Sequence, residues 1–200
     1  KINFIIWSGA IQRKGRNDSI VRRLQRRFIA SRAGSFIAYG SLAKSYLEGL
    51  GAPPKKIHVA INTVDTSFFS LETNTIRKEL GPDHVKRLTY IGYLSPRKNV
   101  SLLLDILHEL SHKRKDFVLD LIGEGEDKPN LEKFVQMNSM ADFVHFHGFK
   151  QKSELPAFLA RSNCFLFQTD FDIWGLVLNE AMAAALPCIS SVNAGASADL

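Results

Sequence analysis

Short apolar runs alternate with stretches of helical period along almost the whole chain, and that alternation limits the fold more than any other feature. The apolar runs are residues 2–7, 35–39, 57–61, 87–93, 117–122, 143–146, 164–167 and 187–191. Between most of them lie segments with helical spacing: 19–32, 41–50, 99–113, 129–138, 152–161 and 175–185. In 19–32 the apolar set is Ile20, Leu24 and Phe28 with Val21 and Ile29, opened by Asp18 or Ser19 as N-cap. Strands joined through helices cannot pair as hairpins. They form parallel sheets, so the fold class is α/β with doubly wound, Rossmann-like sheets.

One stretch breaks the rhythm. Residues 62–86 are polar and rich in turn formers, with one short charged helix expected at 75–80. This reads as an interdomain linker between 1–61, the end of a first domain, and 87–200, a second domain incomplete at its C-terminus. The chain opens directly on a strand and stops without a closing helix, which reads as part of a longer protein.

Composition narrows the class. The chain is 45% hydrophobic and 23% charged, as in ordinary globular proteins. No apolar run approaches the roughly 18 residues of a membrane span. Cys164 and Cys188 sit in apolar surroundings without metal spacing, which reads as buried free thiols and a cytoplasmic setting. The net charge of +6 is uneven: residues 1–60 hold twelve Lys/Arg against two Asp/Glu, and residues 61–200 hold fourteen against eighteen. Arg22, Arg23, Arg26 and Arg27 lie on one helix with no acid among them. A basic amphipathic helix suits an anionic membrane surface or a lipid-linked acceptor, peripheral at the inner face of the membrane. Nucleic-acid binding is not expected, because no recognition motif accompanies the charge.

In doubly wound sheets, ligands bind beyond the carboxyl ends of the strands. The loops that follow those ends carry the candidates. Gly92-Tyr93-Leu94-Ser95-Pro96-Arg97-Lys98 places two cations at a strand mouth, as a diphosphate requires. Gly123-Glu124-Gly125 is a second glycine turn. His145 and His147 flank Phe146 at a strand end, but no third ligand has suitable spacing, so no metal is expected. The loop 168–175 runs Gln-Thr-Asp-Phe-Asp-Ile-Trp-Gly and opens into a helix, whose N-terminus suits an anion. Asp172 precedes the turn and Glu180 lies eight positions on. Carboxylates beside a phosphate would repel it, so these two are expected to face sugar hydroxyls.

The stretch from Asp172 through Gly175 to Glu180, followed by Ala181-Met182-Ala183 and Leu186-Pro187, resembles the signature of family-4 retaining glycosyltransferases (glycosyl transferases group 1). Gly92 to Lys98 looks like that family's phosphate loop, Gly123-Glu124-Gly125 its second glycine loop, and Phe146-His147-Gly148-Phe149 its base-binding strand end. Asn62-Thr63-Val64-Asp65 resembles the passage from first domain to second. The resemblance implies a GT-B fold, two Rossmann-like domains with the nucleotide sugar held mainly by the second. It implies that Glu180 bonds the ribose hydroxyls and Asp172 the donor sugar. Lys98, with Arg97, would neutralise the diphosphate. Backbone at Trp174, Gly175 and Leu176 would hold phosphate oxygens, and backbone from Phe146 to Phe149 the base. Gly92, Tyr93, Gly123 and Glu124 complete the donor set. Ser8 and Gly9 are acceptor-side candidates.

The implied reaction moves a hexose-type sugar from a nucleotide-diphosphate sugar to a glycan or lipid-linked acceptor, with retention, without metal and without a cofactor. Two positions depart from the pattern. Asp172 stands where Glu is usual, and Tyr93 stands where many members carry Arg. The second departure keeps an alternative in view: a relative that binds nucleotide sugar without transferring it.

Overall fold

The computed structural model describes residues 4–12, 19–81 and 84–200. The chain forms two compact units. One comprises Lys1–Thr63, Phe171–Gly175 and Val192–Leu200, the other Val64–Asp170 and Leu176–Ser191.

The first unit carries β1 (Ile5–Ser8), α1 (Ile20–Arg32), β2 (Ser35–Ala38), α2 (Ser41–Gly49) and β3 (Ile57–Val59). Its three strands are all parallel, in the order β1-β2-β3. Residues 2–3 of the expected first strand, and Asp18 as a candidate cap, lie outside the described residues. Ser19 takes the N-cap position of α1 without a side-chain hydrogen bond. The core is built largely of alanines, among them Ala30 and Ala43, around Phe36 and Leu47. Phe171–Gly175 and Val192–Leu200 join this unit: Asp172 bridges in parallel to Ala194, and Asp199 accepts from the Ser41 N–H at the start of α2.

The apolar set of α1 does not pack inward. Ile20, Val21, Leu24, Phe28 and Ile29 are 50–78% exposed, and Ala30 is the one buried residue of the helix. The helical period was legible, but it does not say which surface the apolar stripe meets.

The second unit is a five-stranded, wholly parallel sheet in the order β6-β5-β4-β7-β8. Its elements are α3 (Thr66–Glu79), β4 (Lys86–Ile91), α4 (Val100–Ser111), β5 (Phe117–Ile122), α5 (Lys128–Met137), β6 (Val144–Gly148), α6 (Leu155–Arg161), β7 (Cys164–Phe167), α7 (Leu176–Ala183) and β8 (Cys188–Ser190). This is the expected doubly wound pattern. The order reverses between β4 and β7, so the crevice for a ligand opens at the carboxyl ends of those two strands. The inner strand β5 is nearly all apolar, running Phe117-Val118-Leu119-Asp120-Leu121-Ile122 with Asp120 the one polar residue.

The stretch expected as a linker holds a 14-residue helix. Asp65 caps α3 by accepting from the Phe68 N–H at 2.9 Å. Phe69 and Thr73 are fully buried and Ile76 is half-buried, a helical stripe with a polar member in its middle. The stripe faces α6 and α7. Arg77 reaches the carbonyls of Leu159 and Ala160 at the C-terminus of α6. Thr73 hid the period, so the sequence alone showed only the charged end of the helix.

Cys164 and Cys188 are free and half-buried on adjacent strands. Burial pushes the Cys188 thiol up to about 11, which suits packing rather than reactivity.

Candidate functional site

At the reversal point the loop after β4 is tied to the loop after β7. The Asp170 N–H donates to the Arg97 carbonyl at 3.0 Å, and the Asn99 amide donates to the Asp170 carboxylate at 2.9 Å. These bonds fix the segment that carries Arg97 and Lys98. Arg97 is exposed, whereas Lys98 is 7% exposed with its Nζ 5.0 Å from the centre of the Phe167 ring. An ammonium over an aromatic face is attracted by the electron-rich ring. Phe167, the last residue of β7, belongs to this arrangement, and nothing in its apolar run distinguished it.

The two glycine loops interlock. Gly92 N–H donates to Ile122, Leu94 N–H to Glu124, and Gly123 N–H to Gly148, all by backbone. A Cβ on Gly123 would lie 1.9 Å from the Gly92 carbonyl oxygen, and its φ of +146° is closed to other residues. Gly125 is pressed as closely on the Leu94 carbonyl. These two glycines are therefore explained by loop packing, which sets the rim of the crevice. Glu124 is held by Lys128 at 2.7 Å. Tyr93 is 57% exposed, and a hydrogen bond to the nearby Glu126 carboxylate pushes its phenol above the ordinary range.

Glu180 lies on α7. Its Oε2 is buried with no hydrogen-bond partner. Burial raises the carboxyl to about 7, against the opposing pull of Lys152. A carboxylate oxygen out of water with nothing donating to it is costly, and native proteins rarely keep one without a ligand to serve. Lys152, on the turn before α6, was not singled out by any sequence pattern.

At β6 the side chain of His147 turns to Asp120 (2.6 Å) and lies edge-on to Phe158. Phe146 packs against the core, Gly148 takes a φ of +69°, and Phe149 is 66% exposed. What this strand end offers a ligand is backbone and the Phe149 ring.

The boundary between the compact units falls between Gly175 and Leu176. Asp172 is therefore counted with the first unit and Glu180 with the second. Within the first unit Asp172 accepts from the Trp174 N–H at 3.3 Å, and Trp174 is buried against Gly40. The Trp174 ring is thus a packing group, and only its backbone is available to a ligand. Helix α7 starts at Leu176, one residue later than expected, after Gly175 at φ +98°. The first unit also holds a cleft of about 840 Å³ lined by Ala10, Ile11, Arg22, Arg23, Arg26 and Tyr46, among others. Arg26 donates to the Tyr46 hydroxyl at 2.7 Å. The cleft lining begins just past Ser8 and Gly9. Ser8 accepts from the Ala10 N–H, and Gly9 is packed against Tyr39 and Ile173.

Comparison with known proteins bears on the family and the fold. The family model for glycosyl transferases group 1 matches residues 72–199. The putative colanic acid biosynthesis glycosyltransferase WcaL of Salmonella typhimurium is 27% identical over 74% of this chain and 37% of its own length. The amylovoran biosynthesis glycosyltransferase AmsK of Erwinia amylovora is 26% identical over the same shares. The chain thus spans a little over a third of these curated relatives. Among solved structures, Anabaena Alr3699/HepE in complex with UDP superposes with a TM-score of 0.80 at 18% identity, covering 98% of this chain and 55% of that one. WaaG, a glycosyltransferase of lipopolysaccharide biosynthesis, superposes with a TM-score of 0.70 at 15% identity, covering 97% of this chain and 58% of that one. The fold is that of the GT-B glycosyltransferases, and the chain belongs to the glycosyl transferases group 1 family.

Proposed function

We propose that the protein transfers a hexose-type sugar from a nucleotide-diphosphate sugar to a glycan or lipid-linked acceptor, with retention of configuration and without metal. The observation that carries the donor reading is the buried, unpartnered Oε2 of Glu180. A ribose diol supplies the hydroxyl donors that this oxygen lacks. The UDP complexes of HepE, a structural neighbour, support a nucleotide ligand.

In this reading the bond between the anomeric carbon and the diphosphate oxygen breaks, and its electron pair stays on the phosphate. Lys98 and Arg97 stabilise that growing charge, together with backbone N–H groups at the start of α7, so no divalent ion is required. The acceptor hydroxyl oxygen bonds to the same face of the anomeric carbon, and its proton passes to the departing diphosphate oxygen. Asp172 is assigned to the donor sugar hydroxyls, and backbone at Phe146–Phe149 to the base. Replacing Lys98 by Met keeps the stem over Phe167 and removes the charge. Single-turnover transfer by the full-length protein should fall about 100- to 1,000-fold, while the melting temperature changes little. Undiminished transfer would exclude Lys98 from the chemistry.

The alternative is a relative that binds the donor without transferring it. The Tyr93–Glu126 pair favours it, because it stands where many relatives place an arginine. The same assay separates the two: no turnover by the unaltered full-length protein selects the second reading.

The charge state of Glu180 gives a pH prediction. Its carboxyl is raised to about 7 in the free protein. Ribose hydroxyls donate to the ionised form, so affinity for a nucleotide sugar should rise with pH and level off above 7. The donor's own diphosphate does not titrate there. Glu180→Gln should flatten that dependence and weaken binding about tenfold or more. For the free protein the sign is opposite. The native state holds the proton to higher pH than the unfolded chain does. Stability from this group therefore declines as pH climbs from the ordinary carboxylate range through 7. A calorimetric titration across that range reads the binding effect directly, and a pH-independent affinity would contradict the ribose role.

Contact with an anionic membrane or lipid-linked acceptor is assigned to α1. Exposed Ile20, Val21, Leu24, Phe28 and Ile29 share this helix with Arg22, Arg23, Arg26 and Arg27. No helix of the described residues is long and apolar enough to cross a membrane, so this contact would be peripheral. The protein should co-sediment with phosphatidylglycerol vesicles. Exchanging the four arginines for Ala should release it, and sedimentation that survives the exchange rules the contact out.

A further inference from the structure

Three ligand-type side chains of the second unit converge where the donor reading uses only backbone. Asp120 is the central polar residue of β5, and its register partner on β6 is His145. His147 follows two residues on, where the ladder shifts register between Leu121 and Ile122. Alternate residues of a strand share a face, and the irregularity turns the second ring onto the same carboxylate. His147 Nε2 lies 2.6 Å from Asp120 Oδ1, and His145 Nδ1 lies 3.5 Å from the same oxygen. All three potential ligand atoms fall within 4.8 Å of one another. The Asp120 side chain is 9% exposed, whereas the rings of His145 and His147 are 41% and 30% exposed, so the cluster is anchored inside and open to solvent outside.

We propose that Asp120, His145 and His147 form a binding site for a borderline divalent transition-metal ion such as zinc, with the fourth position open to water. Two imidazoles and one carboxylate are a usual zinc donor set for a site that keeps an open position. Around a tetrahedral zinc the ligand atoms stand roughly 3.3 Å apart. The 3.5 Å separation already fits, and the 2.6 Å one needs to open by roughly 0.7 Å as the ion replaces the proton between Nε2 and Oδ1. The other carboxylate oxygen, Oδ2, lies 3.4 Å from the Arg87 guanidinium. Arg87 therefore orients Asp120 from behind and leaves Oδ1 for the ion. Its charge also repels the ion and weakens binding. The two histidines alone lacked a third ligand at suitable spacing. The third comes from the neighbouring strand, 25 residues before His145, through sheet register.

The proposal does not depend on sugar transfer, and its test does not use it. One other metal-capable group among the described residues is His108, Glu109 and His112 on the surface of α4, with the two rings 4.8 Å apart. The experiment is a cobalt(II) titration of metal-stripped full-length protein in a His108→Ala, His112→Ala background, followed by visible absorption. The expected result is one equivalent of tetrahedral ligand-field bands. His145→Ala should weaken the site at least tenfold without changing the melting temperature of the metal-free protein, and Asp120→Asn should abolish it. If Asp120→Asn does not fold, the part-exposed His145 decides alone. Absence of the bands in this background, or bands that survive His145→Ala, overturns the site and leaves a hydrogen-bonded ion cluster.

Discussion

The bond network between the loops after β4 and β7 is the constraint on which the proposed chemistry rests. A parallel sheet leaves the carboxyl ends of its strands without hairpins, and the strand order opens a crevice where it reverses. An opening alone positions nothing. Here the Asp170 N–H, the Arg97 carbonyl and the Asn99 side chain hold one loop to the other. Lys98 is thereby kept nearly out of water, with its charge over Phe167. The interlocked glycine loops brace the adjoining rim from the other side, since Gly123 and Gly125 leave no room for a Cβ.

Against this rigid frame Glu180 is the group out of balance. Oε2 of Glu180 is buried without a hydrogen-bond partner. A carboxyl raised to about 7 is a destabilising element in the free protein at neutral pH. Such a group is tolerated where a ligand completes it, and hydroxyl donors complete it better than a cation, because Lys152 already supplies positive charge nearby. The buried lysine and the unpartnered glutamate thus divide the labour. One meets an anion, the other meets hydroxyls, and a nucleotide diphosphate offers both.

Much of this was legible in the residues. Apolar runs located the strands of both sheets, and the candidate loops followed from topology. Lys98, Glu180 and the glycine loops stand out in the sequence through their place in the loops and the family resemblance. What the sequence hid was long-range. Thr73 interrupts the apolar stripe of α3, so a helix packed on α6 and α7 looked like a linker. The apolar period of α1 was visible, but the surface it meets was not, and that stripe is exposed. Asp120 reaches the histidines through strand register, which no local spacing encodes. Phe167 meets Lys98 across 69 residues, Lys152 acts on Glu180 by charge across 28, and neither carries a motif of its own.

The claim at the centre of this account is that Glu180 and Lys98 together receive a nucleotide diphosphate. A crystal structure of the full-length protein grown with a UDP, GDP or ADP sugar tests it most directly. The account predicts the ribose hydroxyls within hydrogen-bond distance of Glu180 and the diphosphate beside Lys98 and the start of α7. A nucleotide seated elsewhere, with the Glu180 carboxylate still unpartnered, would contradict it.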